Sequence, residues 1–350
     1  MRTNSLSRSV LMAVSTLAAC SDAALAPDRA ISPSVEPAHV GGSVLASAPY
    51  SAWSEPANLD PIAAEIPVNM TGSNDQQPTL SRNGLSLYFA SNRPTTDLPD
   101  EILDQNIWVS QRACTDQCPW SKPQLVAAVN IEDVLDVSPS LSRDQHQLFF
   151  ASQRPHDCYP PASSQCTDRD LWVSYREDVH DDFGWQAPVN LGPGINSSAE
   201  EVAPSYFANE DAGVPEIFFN RGELVGDIYV SRMVNGVWGD VNLAQGINSD
   251  AADQRPSISH DGLELYFWSN RAKVAGELTK ARIWVATRDD VNDLWSVPVT
   301  VDFSGGDLDG IMPFIHSHGT TETLLLVRPF SPVLARDLWI SQRTRLSGPE

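Results

Sequence analysis

The side chains of this 350-residue chain best suited to chemistry are carboxylates and guanidiniums set out at a regular pitch. Asp75, Asp136, Glu201 and Asp253 each stand three residues before a proline, and Asp309 stands one residue further from its own. Arg93, Arg154, Arg221, Arg271 and Arg328 each close an apolar run downstream of one of these acids. Asn69, Asn130, Asn196 and Asn248 precede four of the acids, while Asp170, Asp227 and Asp337 open a later apolar run. Two carboxylates roughly 5–9.5 Å apart, one protonated and one ionised, are the equipment of glycoside hydrolysis. An arginine facing a carboxylate is instead a bidentate tie. A feature that recurs in every unit serves what every unit needs, so the acids and arginines read first as latches joining one unit to the next. Catalysis requires a departure from the repeat. The departures are Glu200-Glu201, Asp307 and Asp309 in a Gly-rich stretch, and His316-Ser-His318. Glu201 and Asp309 are therefore the catalytic candidates, and the five acids with the five arginines form the candidate binding ring. His318 aligns with Asp261 of a hairpin and reads as a turn residue on the face opposite the acids.

The elements that must position these residues repeat five times. The first unit reads Pro78-Thr-Leu-Ser, Asn83-Gly84, Leu87-Tyr-Phe-Ala-Ser, Arg93, Asn106-Ile-Trp-Val-Ser-Gln-Arg112 and Trp120-Ser-Lys-Pro123. The fourth repeats it with Pro256-Ser-Ile-Ser, Asp261-Gly262, Leu265-Tyr-Phe-Trp-Ser, Arg271, Arg282-Ile-Trp-Val-Ala-Thr-Arg288 and Trp295-Ser-Val-Pro298. Short runs of β-branched and aromatic residues between turn signals are strands, and each unit holds four of them with almost no helix signal. That is the composition of a propeller blade. The fifth unit lacks its trailing Trp-x-x-Pro segment, and an orphan copy, Trp53-Ser-Glu-Pro56-Ala-Asn-Leu59, precedes the first unit. Pairing the orphan with the fifth unit closes the ring and removes its exposed edge. The fold class is all-β, a five-bladed propeller of four-stranded antiparallel blades. In it the loop after the second strand and the lead-in to the first lie on one face, called here the top.

The pattern Ser-x-Asp-Gly-x-x-Leu-Tyr-Phe-x-Ser-x-Arg, followed by Asp-Leu-Trp-Val-Ser, resembles the WD-like propeller repeats of the TolB family over residues 53–343. The resemblance implies a propeller. Its functional range is wide: periplasmic binding platforms, peptidase gates and lids, and some lyases. The six blades and additional N-terminal domain of TolB have no counterpart in these repeats. Arabinanase-type five-bladed glycosidases place carboxylates on inner strands around a comparable pocket. The uniform repeats, the tether and the absence of a catalytic motif point to a binding module that presents its top face to an envelope protein or glycan, with a polysaccharide-active glycosidase or lyase as the alternative.

The remaining sequence sets the context. Leu17-Ala18-Ala19-Cys20, after a basic and then apolar stretch, resembles the lipobox of bacterial lipoproteins, which implies cleavage before Cys20 and its lipidation. Residues 1–19 are thus read as a signal peptide, 20–52 as an Ala/Pro/Ser-rich tether, 53–345 as the propeller and 346–350 as a tail. This reading expects an exported, monomeric protein of the outer membrane or periplasm, with a lipid anchor as its sole membrane contact. Cys114 with Cys118, and Cys158 with Cys166, read as two local disulfides, in keeping with export. Without histidines at zinc-ligand spacing near either pair, no metal site is expected. No cofactor motif is present either. The net charge of −22 argues against nucleic acid, since a phosphate binder needs a basic stripe. The long loops 94–105 and 155–169, the second presenting Tyr159, are expected to carry recognition.

Overall fold

The computed structural model describes residues 50–60, 67–95, 104–116, 118–158, 165–210, 213–222, 226–274, 276–277, 279–306, 308–330 and 335–346. The signal segment, Cys20, nearly all of the tether, Tyr159, Asp307 and residues 347–350 lie outside them.

The described chain forms five four-stranded antiparallel sheets, one per repeat, and no helix. Four of the sheets run in sequence order from their inner to their outer strand. The fifth is completed by Ala57–Asn58, which pairs with Trp339 and Ile340 of its third strand, so the orphan segment closes the ring as expected. Pairing begins a little earlier than the Trp53 boundary, because Tyr50 already bridges Arg345 and Ser51 N–H donates to Thr344. The apolar core is divided in the same way. Five clusters of buried side chains each sit between neighbouring blades, such as Phe218, Ile228, Leu265 and Phe267 between blades three and four. A blade cannot bury both faces of its own sheet, so each face is covered by the next blade and the ring becomes the stable unit.

The signature prolines explain the inner strands. Gln77, Ser138, Ala203, Arg255 and Met312 stand immediately before Pro78, Pro139, Pro204, Pro256 and Pro313, and all five have φ between 53° and 58°. The pairing register of each inner strand shifts at the same place. The extra residue forms a β-bulge, and proline, which has no N–H to offer a ladder, is tolerated there. Left-handed backbone in a residue other than glycine is costly and persists only where its surroundings enforce it. Here the return is a ring of five side chains, one per blade, at the wall of the central channel.

Proline also sets the outer strands. In four blades the outermost ladder shrinks to two residues beyond the proline of Trp-x-x-Pro, as at Gln124–Leu125 and Val189–Asn190. Blade three has Trp238-Gly-Asp-Val without that proline, and there the strand lengthens to Val237–Leu243, paired on both sides of a register shift. The Trp before the proline has a second function. Arg112, Arg176, Arg288 and Arg343, at the ends of the third strands, lie 4.2–4.7 Å from the rings of Trp120, Trp185, Trp295 and Trp53.

Both disulfides form as read, Cys114–Cys118 and Cys158–Cys166. The second closes a two-stranded hairpin of its own, in which His156 pairs with Cys166 and Asp157 with Gln165.

Candidate functional site

The acids and arginines of the repeat meet inside each blade. Arg93 reaches Asp75 at 2.5 Å, Arg154 reaches Asp136 at 2.7 Å, Arg221 reaches Glu201 at 2.7 Å, and Arg271 reaches Asp253. All four carboxylates are fully buried. The latch therefore differs from the expected one: the ion pair ties the second strand of a blade to the first strand of the same blade, and it is not a bidentate fork. In blades one and two a single Nη2 divides its donors between the carboxylate and a carbonyl of the connector leading into the blade, Val68 or Val129, while Nε takes the Ser91 or Ser152 hydroxyl. The guanidinium plane also lies over an aromatic ring of the third strand, 5.4 Å from Trp108 for Arg93 and 5.1 Å from Trp172 for Arg154. A flat cation with donors along its edge suits this double task in a way that lysine does not. Burial raises the carboxyl pKa of Asp75, Asp136 and Glu201 in spite of their arginines.

The contacts between blades come from other groups. Asn69, Asn130, Asn196 and Asn248 accept from the backbone N–H, and donate to the C=O, of Leu338, Ile107, Leu171 and Ile228. Each amide therefore imitates a strand partner for the third strand of the preceding blade. The N–H groups of Asp75, Asp136, Glu201 and Asp253 donate to Arg336, Gln105, Arg169 and Gly226 of the preceding blade. Asp170 and Asp337 hold the outer strand of their own blade by accepting from Asn190 and Asn58.

Among the described residues, blade five lacks the latch. Asp309, displaced by one residue in its Gly-rich lead-in, is exposed and faces Lys280 at 3.4 Å. Arg328 rests 4.5 Å from the Trp339 ring, and no carboxylate partner is found for it among the described residues. The two catalytic candidates are therefore not brought together: Glu201 is held by Arg221 and by the Ser197 hydroxyl at 2.5 Å, and Asp309 belongs to another blade's surface. His318 is exposed at the end of its strand, one residue before the turn glycine Gly319, on the face away from the acids.

Three features that break the ring symmetry were not singled out from sequence. The first lies in the channel wall, where Gln77, Ser138, Ala203 and Met312 are neutral and the fourth blade supplies Arg255. Its Nη1 donates to Ser138 Oγ at 2.8 Å, from blade four to blade two. Burial, then the charges of Arg169 and Arg336, push the Arg255 guanidinium down to about 9. Arg336 gives its Nη1 to Gln76 at 2.5 Å, and Arg169 pairs with Glu200. Comparing the five residues ahead of the signature prolines would have exposed Arg255.

The second is a top-face groove between blades one and two, lined by Arg93, Asp104, Asn130, Glu132 and Asp133. Burial lifts the Asp104 carboxyl to about 6, against a hydrogen bond from the Asp133 N–H at 3.1 Å and with the charges of Asp136 and Asp133 adding to the rise. The third is in blade two, where His156 lies 3.1 Å from Asp170 and 3.6 Å from Asp168. Burial raises Asp170 to about 7, the Asn190 hydrogen bond and His156 opposing it.

No known family model matches this sequence, and no curated protein is similar enough to match it. Solved structures do match. The catalytic domain of a GH62 α-L-arabinofuranosidase from Coprinopsis cinerea superposes with a TM-score of 0.53 at 11% identity, covering 84% of this chain and 96% of that one. A GH62 hydrolase in complex with xylotriose gives 0.52 at 11%, again over 84% and 96%. An endo-arabinase from Bacteroides thetaiotaomicron gives 0.51 at 16%, over 81% and 98%. These neighbours are glycoside hydrolases rather than TolB-type propellers. At such identities the likeness is one of fold, and the chain is a five-bladed β-propeller of four-stranded antiparallel blades.

Proposed function

We propose that this propeller is directed at a polysaccharide and holds an acidic glycan over the channel mouth on its top face. The observation that carries the reading is Arg255: in a chain of net charge −22, a guanidinium whose partner among the described residues is a serine hydroxyl lines the channel, with Arg169 and Arg336 near enough to repel it. A cation facing two further guanidiniums has much to gain from an anion, and a sugar carboxylate offers the planar acceptor a guanidinium matches. Support also comes from the fold neighbours, one of which holds xylotriose. The sequence repeats keep their likeness to TolB-type blades within this reading. Export and a lipid on Cys20 belong to it as well, supported by the lipobox-like segment and by two disulfides that need an oxidising compartment.

A second reading, hydrolysis of the glycan, is favoured by Asp104. A carboxyl lifted to about 6, in a groove that Glu132 and Asp133 also line, suits the general-acid part in glycoside cleavage. The arabinofuranosidase and arabinase names of the fold neighbours point the same way. Titration of the intact chain with oligogalacturonate and with neutral xylo- and arabino-oligosaccharides, together with reducing-end assays, tests both. Saturable binding of the uronate, lost in Arg255→Met, is the expected result. Binding of neutral sugars alone would overturn the acidic ligand, and turnover abolished by Asp104→Asn would establish the hydrolase.

A further inference from the structure

We propose that His156, Asp168 and Asp170 form a binding site for a divalent first-row transition cation, of the zinc or manganese type, on the top rim of blade two. One ligand atom from each of the three lies within 4.8 Å of the others. Nε2 of His156 is 3.1 Å from Asp170 Oδ2 and 3.6 Å from Asp168 Oδ1. Ligands bound at about 2.1 Å around a tetrahedral ion stand about 3.4 Å apart, so this spacing is that of a coordination shell.

The orientation of the imidazole supports the assignment. Its Nδ1 is 3.1 Å from the carbonyl oxygen of Arg154, which only accepts, so Nδ1 carries the proton. With Nδ1 committed to that carbonyl, Nε2 is the ring nitrogen turned toward the two carboxylates, where a cation could sit between all three. A backbone acceptor on the far nitrogen is also the usual support of a ligating histidine. Asp170 makes a separate case. It is fully buried, its Oδ2 is held by Asn190 at 2.8 Å, and its Oδ1 is buried without a hydrogen-bond partner among the described residues. A buried, uncommitted carboxylate oxygen is costly, and a metal ion bound by this carboxylate would offset that cost.

The sequence holds the site together from both sides. His156 pairs with Cys166 across the small hairpin, and the Cys158–Cys166 disulfide locks that register two residues before Asp168. A mixed nitrogen and carboxylate set favours zinc or manganese over calcium, which prefers an all-oxygen shell. This is a site apart from the proposed glycan contact, and its test reads metal directly.

The intact chain, stripped with EDTA, is titrated calorimetrically with Zn²⁺, then Mn²⁺ and Ca²⁺. One Zn²⁺ per chain is expected to bind, and to raise Tm, with Ca²⁺ at least tenfold weaker. Asp168→Asn, at the most exposed of the three ligands, should weaken Zn²⁺ at least tenfold and leave Tm in EDTA unchanged. Co²⁺ bound to the wild type should show visible absorption that His156→Gln alters. Absence of saturable Zn²⁺ and Mn²⁺ binding would overturn the site. Equal Zn²⁺ affinity in wild type, Asp168→Asn and His156→Gln would do the same.

Discussion

Arg255 of the fourth blade donates to the hydroxyl of Ser138 in the second, 2.8 Å away and 117 residues apart in sequence. The two sit at equivalent bulges, each immediately before its signature proline, and the contact passes over the intervening blade. A side chain placed at one step of a five-fold ring thus breaks the symmetry of the channel that the ring creates.

Removing that charge separates recognition from folding. Arg255→Met is expected to weaken oligogalacturonate binding at least tenfold, as loss of a charged partner to a carboxylate does. Stability should hold or rise, because a guanidinium disfavoured by burial and by Arg169 and Arg336 is gone. Calorimetric titration beside a urea melt measures both, and a large loss of stability with unchanged binding would refute the assignment.

The latch predicts a contrast between blades. Asp136→Asn leaves Arg154 buried with its ion-pair partner missing, and should cost about 3 kcal/mol or more. Arg328→Met in blade five, where no carboxylate partner is found among the described residues, should cost about 1 kcal/mol through the lost Trp339 contact. Equal losses in chemical denaturation would show that the ion pair contributes nothing beyond ring stacking.

The inter-blade amides should be individually important. Asn196→Ala strands the buried N–H of Leu171, whose C=O keeps the N–H of Leu191, and is expected to cost about 1–3 kcal/mol. A melt within about 0.5 kcal/mol of wild type would show that water replaces the amide at no net cost.

Asp104 supplies a pH signature. Its folded pKa, about 6, is above the ordinary carboxylate value, so its favourable contribution is full below about 4 and is lost as pH rises through about 6. Asp104→Asn should therefore match the wild type near pH 4 and exceed it near pH 8, by about 1 kcal/mol for a half-buried group. Thermal melts at the two pH values suffice, and a variant less stable at pH 8 contradicts the raised pKa.

Much of this molecule is local, and local order is legible in sequence. Strand runs, turn dipeptides and Trp-x-x-Pro segments recur within each repeat, so counting them yields five blades, and the orphan at Trp53 yields the closure. The nearby cysteines could pair only within their own loops if blades were not to be crossed. The acids and arginines were legible as a set. Their direction was not, because Asp136 and Arg154 are joined by a hairpin whose curvature brings strand ends of one blade together before any neighbour arrives.

The ring decided the rest. Asn196 meets Leu171 because blades pack face to face, Arg255 reaches Ser138 because five inner strands enclose one channel, and His156 meets Asp168 and Asp170 because a small hairpin folds back on the third strand. Sequence alone determined the repeating unit, since its signals are periodic and short-ranged. The tertiary structure decided which charges are spent within blades and which face the channel, since burial and distance between remote residues exist only after the ring has closed.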